Sequence, residues 1–248
     1  MIEPVKISFD ETKILPSETV AEWGKTLIVA PHPDDESLGC GGTLALLRKY
    51  DCEVLALTVS DGTLSHPNST KYPSEKLREL REGEMLAACE ILGIEENKIS
   101  FLRYPDRRVP DKNSEGFLAA VEKVEKYLIA HQPQTILVPW RRDPHPDHRA
   151  AWQIFNHLNR KFDFQFRLLE YPIWLWEMAE RGDLPAQENF RIFRLDIADV
   201  LDRKQRAVRA HVSQTTNLID DDPESFCLSP EMLAHFAVPF EVYLEEIR

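Results

Sequence analysis

The sequence predicts an α/β fold: a Rossmann-like, doubly wound, mostly parallel sheet with helices on both faces. Three observations carry the prediction. Short apolar runs bounded by turn residues recur along the chain, and segments with apolar residues at helical spacing separate them. Strands that alternate with helices need crossover connections, which give parallel pairing and cover both sheet faces. Two clusters of histidine and carboxylate follow directly on two of the apolar runs, where the crevice of an open parallel sheet lies.

Leu27–Ala30 is the first strand, entered through Thr26 after a polar opening segment, and Gly41–Lys49 reads as the helix behind it. Glu53–Val59 is the second strand, stopped by the turn Ser60-Asp61-Gly62. Leu64–Pro73 mixes His, Pro, Asn and Ser and reads as a loop. Ser74–Leu92 is helical, with Gly93 as its stop. Ile99–Leu102 is the third strand, and Ser114–His131 a helix with Phe117, Val121, Val124 and Leu128 on one face. Thr135–Pro139 is the fourth strand, Asp147–Leu158 the next helix and Phe166–Leu169 the fifth strand. The chain reads as helix-rich from about Ala198 and no linker precedes that region, so residues 1–248 are expected to form one domain.

A length of 248 residues with 43% hydrophobic content allows a sizeable core. The formal charge of −12 argues against nucleic acid as a partner, because nucleic-acid binding needs a basic footprint. Cys40, Cys52, Cys89 and Cys227 have no CxxC spacing, which argues against a disulfide framework or a cysteine-ligated zinc and fits a reducing compartment. Met1–Lys6 lacks the basic-then-apolar pattern of a leader, and no uncharged run approaches the roughly 20 residues that cross a bilayer. A cytoplasmic protein without membrane contact is expected; the sequence leaves homo-oligomer formation open.

The two clusters are His32-Pro33-Asp34-Asp35-Glu36 and Asp143-Pro144-His145-Pro146-Asp147-His148. Imidazole and ionised carboxylate are the donors that Zn²⁺ takes in hydrolytic sites, with one position left for water. If the chain starts in the middle of the sheet, the first and fourth strands are neighbours where strand order reverses, and both clusters share one crevice. The spacing of three between His32 and Asp35, and between His145 and His148, turns each pair to one side. Either cluster alone reads equally as a helix start, with Asp34, Asp35 or Asp147 as caps and proline in the first turn. Two of them, both after strands, favour a metal-dependent hydrolase. Spacing alone leaves open which of Asp34 and Asp35 is the ligand.

These residues resemble the LmbE-like, or PIG-L-like, N-acetylglucosaminyl deacetylases. The first signature stands as Ala30-Pro31-His32-Pro33-Asp34-Asp35-Glu36, with Pro31 as a small departure, and the second as Asp143-x-His145-Pro146-Asp147-His148. Ser60-Asp61-Gly62, Arg81-x-x-Glu84…Leu92-Gly93 and Arg206-Ala207…His211-x-Ser213-Gln214 look like the family's other blocks, so the resemblance runs from about Leu27 to Gln214. It implies an LmbE-like fold and hydrolysis of an N-acetyl group, usually on an amino sugar, with zinc or another divalent ion such as Fe²⁺. Carried onto this chain, it makes His32, Asp35 and His148 the zinc ligands, Asp34 the general base and His145 an assisting electrostatic or acid group.

Amide hydrolysis adds further expectations. His145 as imidazolium would help to hold the oxyanion, and Asp147 would orient a histidine through its second ring nitrogen or cap a helix. Arg81 would bind a substrate hydroxyl or carboxylate, or pair with Glu84 on its own helix. His211 would line the pocket or cap its helix, amid a solvated face of Arg203, Lys204, Arg206 and Arg209. Arg141 and Arg142 read as a solvated turn, with selection of an anionic group as the lesser reading. Trp174 and Trp176, facing one way if in a strand, read as buried aromatics before they read as a sugar platform.

Three rivals follow from the same residues. A non-haem Fe(II) oxygenase shares the two-histidine, one-carboxylate set but is expected on a β-rich fold. A nucleotide module is suggested by Gly39-x-Gly41-Gly42, yet carboxylates precede it where a phosphate would sit. Those glycines are better read as letting a helix pack close to the sheet. A metal-dependent binding protein without turnover differs only in having no use for Asp34.

Overall fold

The crevice that the sequence places beside the first strand is built by an eight-stranded sheet. The computed structural model describes residues 8–161, 166–178, 180–185 and 187–247, so the Met1–Lys6 reading lies outside the described residues. The strands are β1 (Lys13–Leu15), β2 (Thr26–Ala30), β3 (Val54–Ser60), β4 (Ile99–Tyr104), β5 (Thr135–Pro139), β6 (Arg167–Tyr171), β7 (Phe190–Asp196) and β8 (Phe240–Glu246). Their order across the sheet is β1-β7-β8-β6-β5-β2-β3-β4. All pairings are parallel except those of β8, which runs antiparallel between β6 and β7.

The expected strands are β2 to β6. The sequence pattern does not announce β1, β7 and β8; the C-terminal region is helix-rich as expected, and β8 is the strand that the reading leaves out. Its alternation is blurred because Glu241 is buried: the carboxylate accepts Gly42 N, Thr43 N and Thr43 Oγ1 and pairs with Lys204 Nζ at 2.8 Å.

The helices are α1 (Asp35–Lys49), α2 (Ser74–Leu92), α3 (Phe117–His131), α4 (Pro146–Lys161), α5 (Leu175–Met178), α6 (Leu201–Ala210), α7 (Val212–Thr215) and α8 (Pro230–Phe236). α1 begins at Asp35, not at the expected Gly41. Its glycines depress helix propensity but permit contact, since a Cβ on Gly42 would lie 2.6 Å from Ile197.

Strand periodicity sorts the core into two layers. On β2, Leu27 and Val29 join Ile136, Val138 and the helices α3 and α4, whereas Ile28 and Ala30 join Leu137 and the layer under α1, α2 and α6. The chain runs from β2 outward to β3 and β4, then crosses back to β5 on the other side of β2. Strand order therefore reverses between β2 and β5, and both His/Asp clusters start within a few residues of those strand ends.

Candidate active site

The first cluster forms the entry to α1 under backbone strain. Asp34 has φ 137° and ψ −30°, a conformation that costs a side-chain-bearing residue on the order of 1–3 kcal/mol. Several bonds hold it. Asp34 N donates to Glu36 Oε2 at 3.0 Å, and Arg81 donates to Pro33 O at 2.7 Å, to Gly62 O at 2.7 Å and to Asp34 Oδ2 at 3.0 Å. The Asp34 side chain makes no helix cap, so the capping alternative for this residue is set aside.

Around the switch point, three donor atoms meet. His32 Nδ1 lies 3.4 Å from Asp35 Oδ2, His148 Nε2 lies 3.3 Å from Asp35 Oδ2, and the two nitrogens are 3.3 Å apart. Tetrahedral donors about 2.0–2.2 Å from a zinc ion stand about 3.3–3.6 Å from one another. These three atoms thus match the edges of one face of a zinc tetrahedron. Two looser groups, with ligand atoms within 4.8 Å, are His32 with His145 and His148, and His32 with Asp106, His145 and Asp147.

Carboxylates back the ring nitrogens that face away from this triangle. His32 Nε2 is 3.2 Å from Asp147 Oδ2 and 3.3 Å from Asp106 Oδ1, and His148 Nδ1 is 3.3 Å from Asp143 Oδ1. Such partners set the tautomer and raise the donor strength of the ring. Burial opposes charge on both imidazoles, but Asp106, Asp147 and Asp35 press His32 well above its ordinary range, and Asp35 and Asp143 bring His148 up to about 9. Burial likewise opposes charge on Asp35, yet the two histidines hold it well below the usual carboxylate range. The cluster is rich in negative charge, which a divalent cation would offset as two imidazolium protons do.

Asp34 is different. Burial pushes its carboxyl up, to about 7, against the pull of Arg81 and with the push of Asp35. His145 is held low, at about 2, by burial and by the neighbouring His32 and His148. Its Nδ1 accepts Asp147 N at 3.2 Å, which leaves the ring proton on Nε2. This environment opposes the expected imidazolium and leaves the Nε2–H as the group that the ring can offer.

The remaining expected residues sort as follows. Asp147 does reach a histidine, and its oxygens also accept Arg107 N at 2.7 Å and Val109 N at 3.2 Å, which pins the loop after β4. Arg81 lines the cavity, but its partner is Asp34 rather than Glu84, which instead accepts Ser213 N and Ser213 Oγ. His211 does not line the cavity: it is 1% exposed and bonds Glu36 Oε1 at 2.8 Å from behind the metal-side cluster. Lys204 is no part of a solvated face but the buried partner of Glu241.

Arg141 is no solvated turn either; it pairs with Glu170 and Glu246, and Arg142 donates to Leu184 O. Trp174 and Trp176 follow the strand end and part company. Trp174 lines the cavity, while Trp176 stacks on His235 and meets Phe9 edge-on.

Asp106 is the residue that sequence reasoning missed, and it holds Leu64 N at 2.9 Å as well as facing His32. Its signal is its place just past the end of β4, in the crevice. The interlocked contacts also explain the outlying motif blocks. Gly62, at φ +63°, passes close over the Arg81 guanidinium where a side chain would collide, and His211 and Ser213 brace Glu36 and Glu84.

His32, Asp34, Asp35, Asp106 and His145 line a cavity of about 440 Å³, a volume that suits a small-molecule ligand, whereas His148 is fully buried and does not line it. A family model described as PIG-L, GlcNAc-PI de-N-acetylase, matches residues 27–158, a span holding both clusters. The chain belongs to the PIG-L family. As a PIG-L family protein it is a deacetylase, a hydrolase of amide bonds. It is 27% identical over 203 residues to a probable N-acetyl-alpha-D-glucosaminyl L-malate deacetylase 2 of Bacillus cereus, covering 79% of this chain and 86% of that one. It is 31% identical over 202 residues to the diacetylchitobiose deacetylase of Thermococcus kodakarensis, covering 77% and 70%.

Among solved structures, the N,N'-diacetylchitobiose deacetylase of Pyrococcus horikoshii superposes with a TM-score of 0.60 at 23% identity over 82% of this chain and 78% of that one, a likeness of fold. Membership of the PIG-L family also sets aside the Fe(II) oxygenase, expected on a β-rich fold, and the nucleotide module as accounts of this α/β crevice. No helix among the described residues is long and apolar enough to cross a membrane.

Proposed function

We propose that the protein is a zinc-dependent deacetylase that removes an N-acetyl group from a small, sugar-linked acetamide. One observation carries the reading: His32 Nδ1, Asp35 Oδ2 and the buried His148 Nε2 form a triangle with sides of 3.3–3.4 Å, of which His32 and Asp35 line the cavity together with Asp34. The donor set, two imidazoles and a carboxylate backed by three further carboxylates, fits a divalent cation. Bound there, zinc supplies a water of lowered pKa as nucleophile and a Lewis acid for the amide carbonyl.

Asp34 takes the proton of the attacking water and returns it to the departing amine nitrogen. Burial raises its proton affinity, and Arg81 keeps it anionic enough to act as a base and fixes its position. His145 donates its Nε2–H to the carbonyl oxygen as negative charge grows there. This needs no charge on the ring, in keeping with its buried, neutral state. Asp106, Asp147 and Asp143 hold the rings of His32 and His148 in register. An amino-sugar substrate is supported by the relatives' activities on glucosaminyl malate and diacetylchitobiose.

Metal content of protein purified without added metal, followed by amine release from a panel of N-acetyl sugars, tests the reading. Zinc near one per chain with free amine produced is the expected result. No metal uptake after zinc is offered would refute it, as would iron with no amine release; a turnover-competent iron form would overturn zinc alone.

A further inference from the structure

Asp34 keeps a backbone conformation that a side chain resists, at φ 137°, so its surroundings have to hold it there. Its carboxylate is held by Arg81 at 3.0 Å. Its backbone is held separately: Asp34 N donates to Glu36 Oε2 at 3.0 Å, across the first turn of α1. Glu36 is fully buried and does not line the cavity, so the carboxylate that does the holding needs donors of its own. Its other oxygen, Oε1, takes Ser37 Oγ at 2.6 Å and His211 Nε2 at 2.8 Å. Ser37 belongs to the same turn and moves with it, whereas His211 comes from another part of the fold.

His211 is itself fixed. It stands at the break between α6 and α7, where its N–H donates to Val208 O at 3.2 Å. Its carbonyl accepts Gln214 N and Thr215 N at 3.0 Å each, and Thr215 Oγ1 at 2.9 Å. The ring is 1% exposed and is absent from the cavity lining, so it has no access to a bound substrate. Nδ1 is buried without a hydrogen-bond partner among the described residues, and the ring's polar contacts all lie on the Nε2 side. An orphaned buried nitrogen costs stability, which an alkyl side chain in the same space would avoid. What the imidazole adds is its N–H toward Glu36.

We infer that His211 is a positioning residue for the deacetylation: through Glu36 it holds the backbone of Asp34 in the strained turn that presents its carboxylate to the cavity. This rests on the deacetylase reading, in which Asp34 is the base. Without His211, the Glu36 carboxylate keeps only donors from its own turn and swings with that turn. Asp34 N is released, and the strain drives the residue toward an ordinary φ. Arg81 then holds one oxygen of a carboxylate whose backbone has moved.

His211→Gln and His211→Asn carry the same amide on stems one methylene apart. Glutamine brings its NH₂ to where Nε2 stands, asparagine only to where Nδ1 stands. At saturating zinc and well below Tm, His211→Asn is expected to lower kcat for amine release from an N-acetyl sugar about 10- to 100-fold, with KM within about twofold of the parent. His211→Gln is expected to restore most of that loss. Glu36→Asp shortens the relay from its other end, is expected to lower kcat in the same way, and replaces the asparagine variant should that one not fold. Crystal structures give a readout apart from turnover: Asp34 is expected near φ 137° in the parent and at negative φ in His211→Asn.

An unmoved Asp34 in that variant would overturn the inference, as would unchanged kcat, a fall that glutamine does not restore, or a rise in KM alone. Lower Tm with unchanged kcat would likewise reduce His211 to a structural residue. A parent that releases no amine removes the deacetylase reading instead, and the crystal structures then decide by themselves whether His211 positions Asp34.

Discussion

Replacing Asp147 by asparagine tests whether the carboxylates behind the histidines hold the metal site. Asp147 is 1% exposed and serves three donors: His32 Nε2 at 3.2 Å, Arg107 N at 2.7 Å and Val109 N at 3.2 Å. Oδ2 takes the first two and Oδ1 the third, so an isosteric amide must present its NH₂ to at least one N–H. One buried donor is then left unsatisfied, at a cost of about 1–3 kcal/mol in the metal-free protein. In a chain of this size that lowers Tm by about 2–12 °C.

Loss of the charge behind His32 also weakens that ring as a donor. Zinc affinity is expected to fall about 10- to 100-fold, or about 1.4–2.7 kcal/mol. Competition against a chromophoric chelator at fixed pH measures the affinity, and thermal melts of the metal-free protein measure the fold. Lower Tm with unchanged zinc affinity would refute the argument, since Asp147 would then only pin the loop after β4. If both stay unchanged, neither role holds.

Other perturbations separate the roles within the site. Asp34→Ala should keep zinc near stoichiometry while kcat falls about 10²- to 10⁴-fold; unchanged turnover would remove Asp34 from the mechanism. His145→Ala should lower kcat about 10²- to 10³-fold, the scale of one lost oxyanion donor, with zinc retained; loss of zinc would instead make His145 a ligand. Lys204→Met strands Glu241 as an unpaired buried carboxylate and should cost about 3–5 kcal/mol in urea unfolding, whereas a midpoint within error of the parent would show that the pair is not needed. Exchange of the loop Leu64–Pro73 for another sequence should change which acylated amine is cleaved without releasing zinc, because that loop contributes Leu64 and Ser65 to the cavity but no donor atom to the triangle.

Much of the site is legible in the sequence because its donors are local to two strand ends. His32 and Asp35 lie within one turn, as do His145 and His148, and each group follows an apolar run whose burial is plain. What the sequence hides is carried by single residues without a pattern. Asp106 is one aspartate among many until β4 ends beside β3 and sets it 3.3 Å from His32. His211 and Arg81 are named by their motif blocks, but their partners, Glu36 and Asp34, lie far along the chain and are chosen by packing. β8 is hidden by the carboxylates that it buries or pairs.

The sequence by itself determines the strand–helix alternation, the reversal point between β2 and β5, and the arrival of two His/Asp clusters in one crevice. These follow from hydrophobic periodicity and from the handed, short connections that periodicity requires. Only the tertiary structure decides which side-chain atoms converge beside the crevice, that burial and two neighbouring imidazoles oppose charge on His145, and which partners Arg81 and His211 take. Those depend on contacts between residues far apart in the chain, such as His32 and His148, 116 positions apart, and His211 and Glu36, 175 apart, and on a field set by every buried charge at once. Periodicity records which side of an element is buried; it does not record what that side meets.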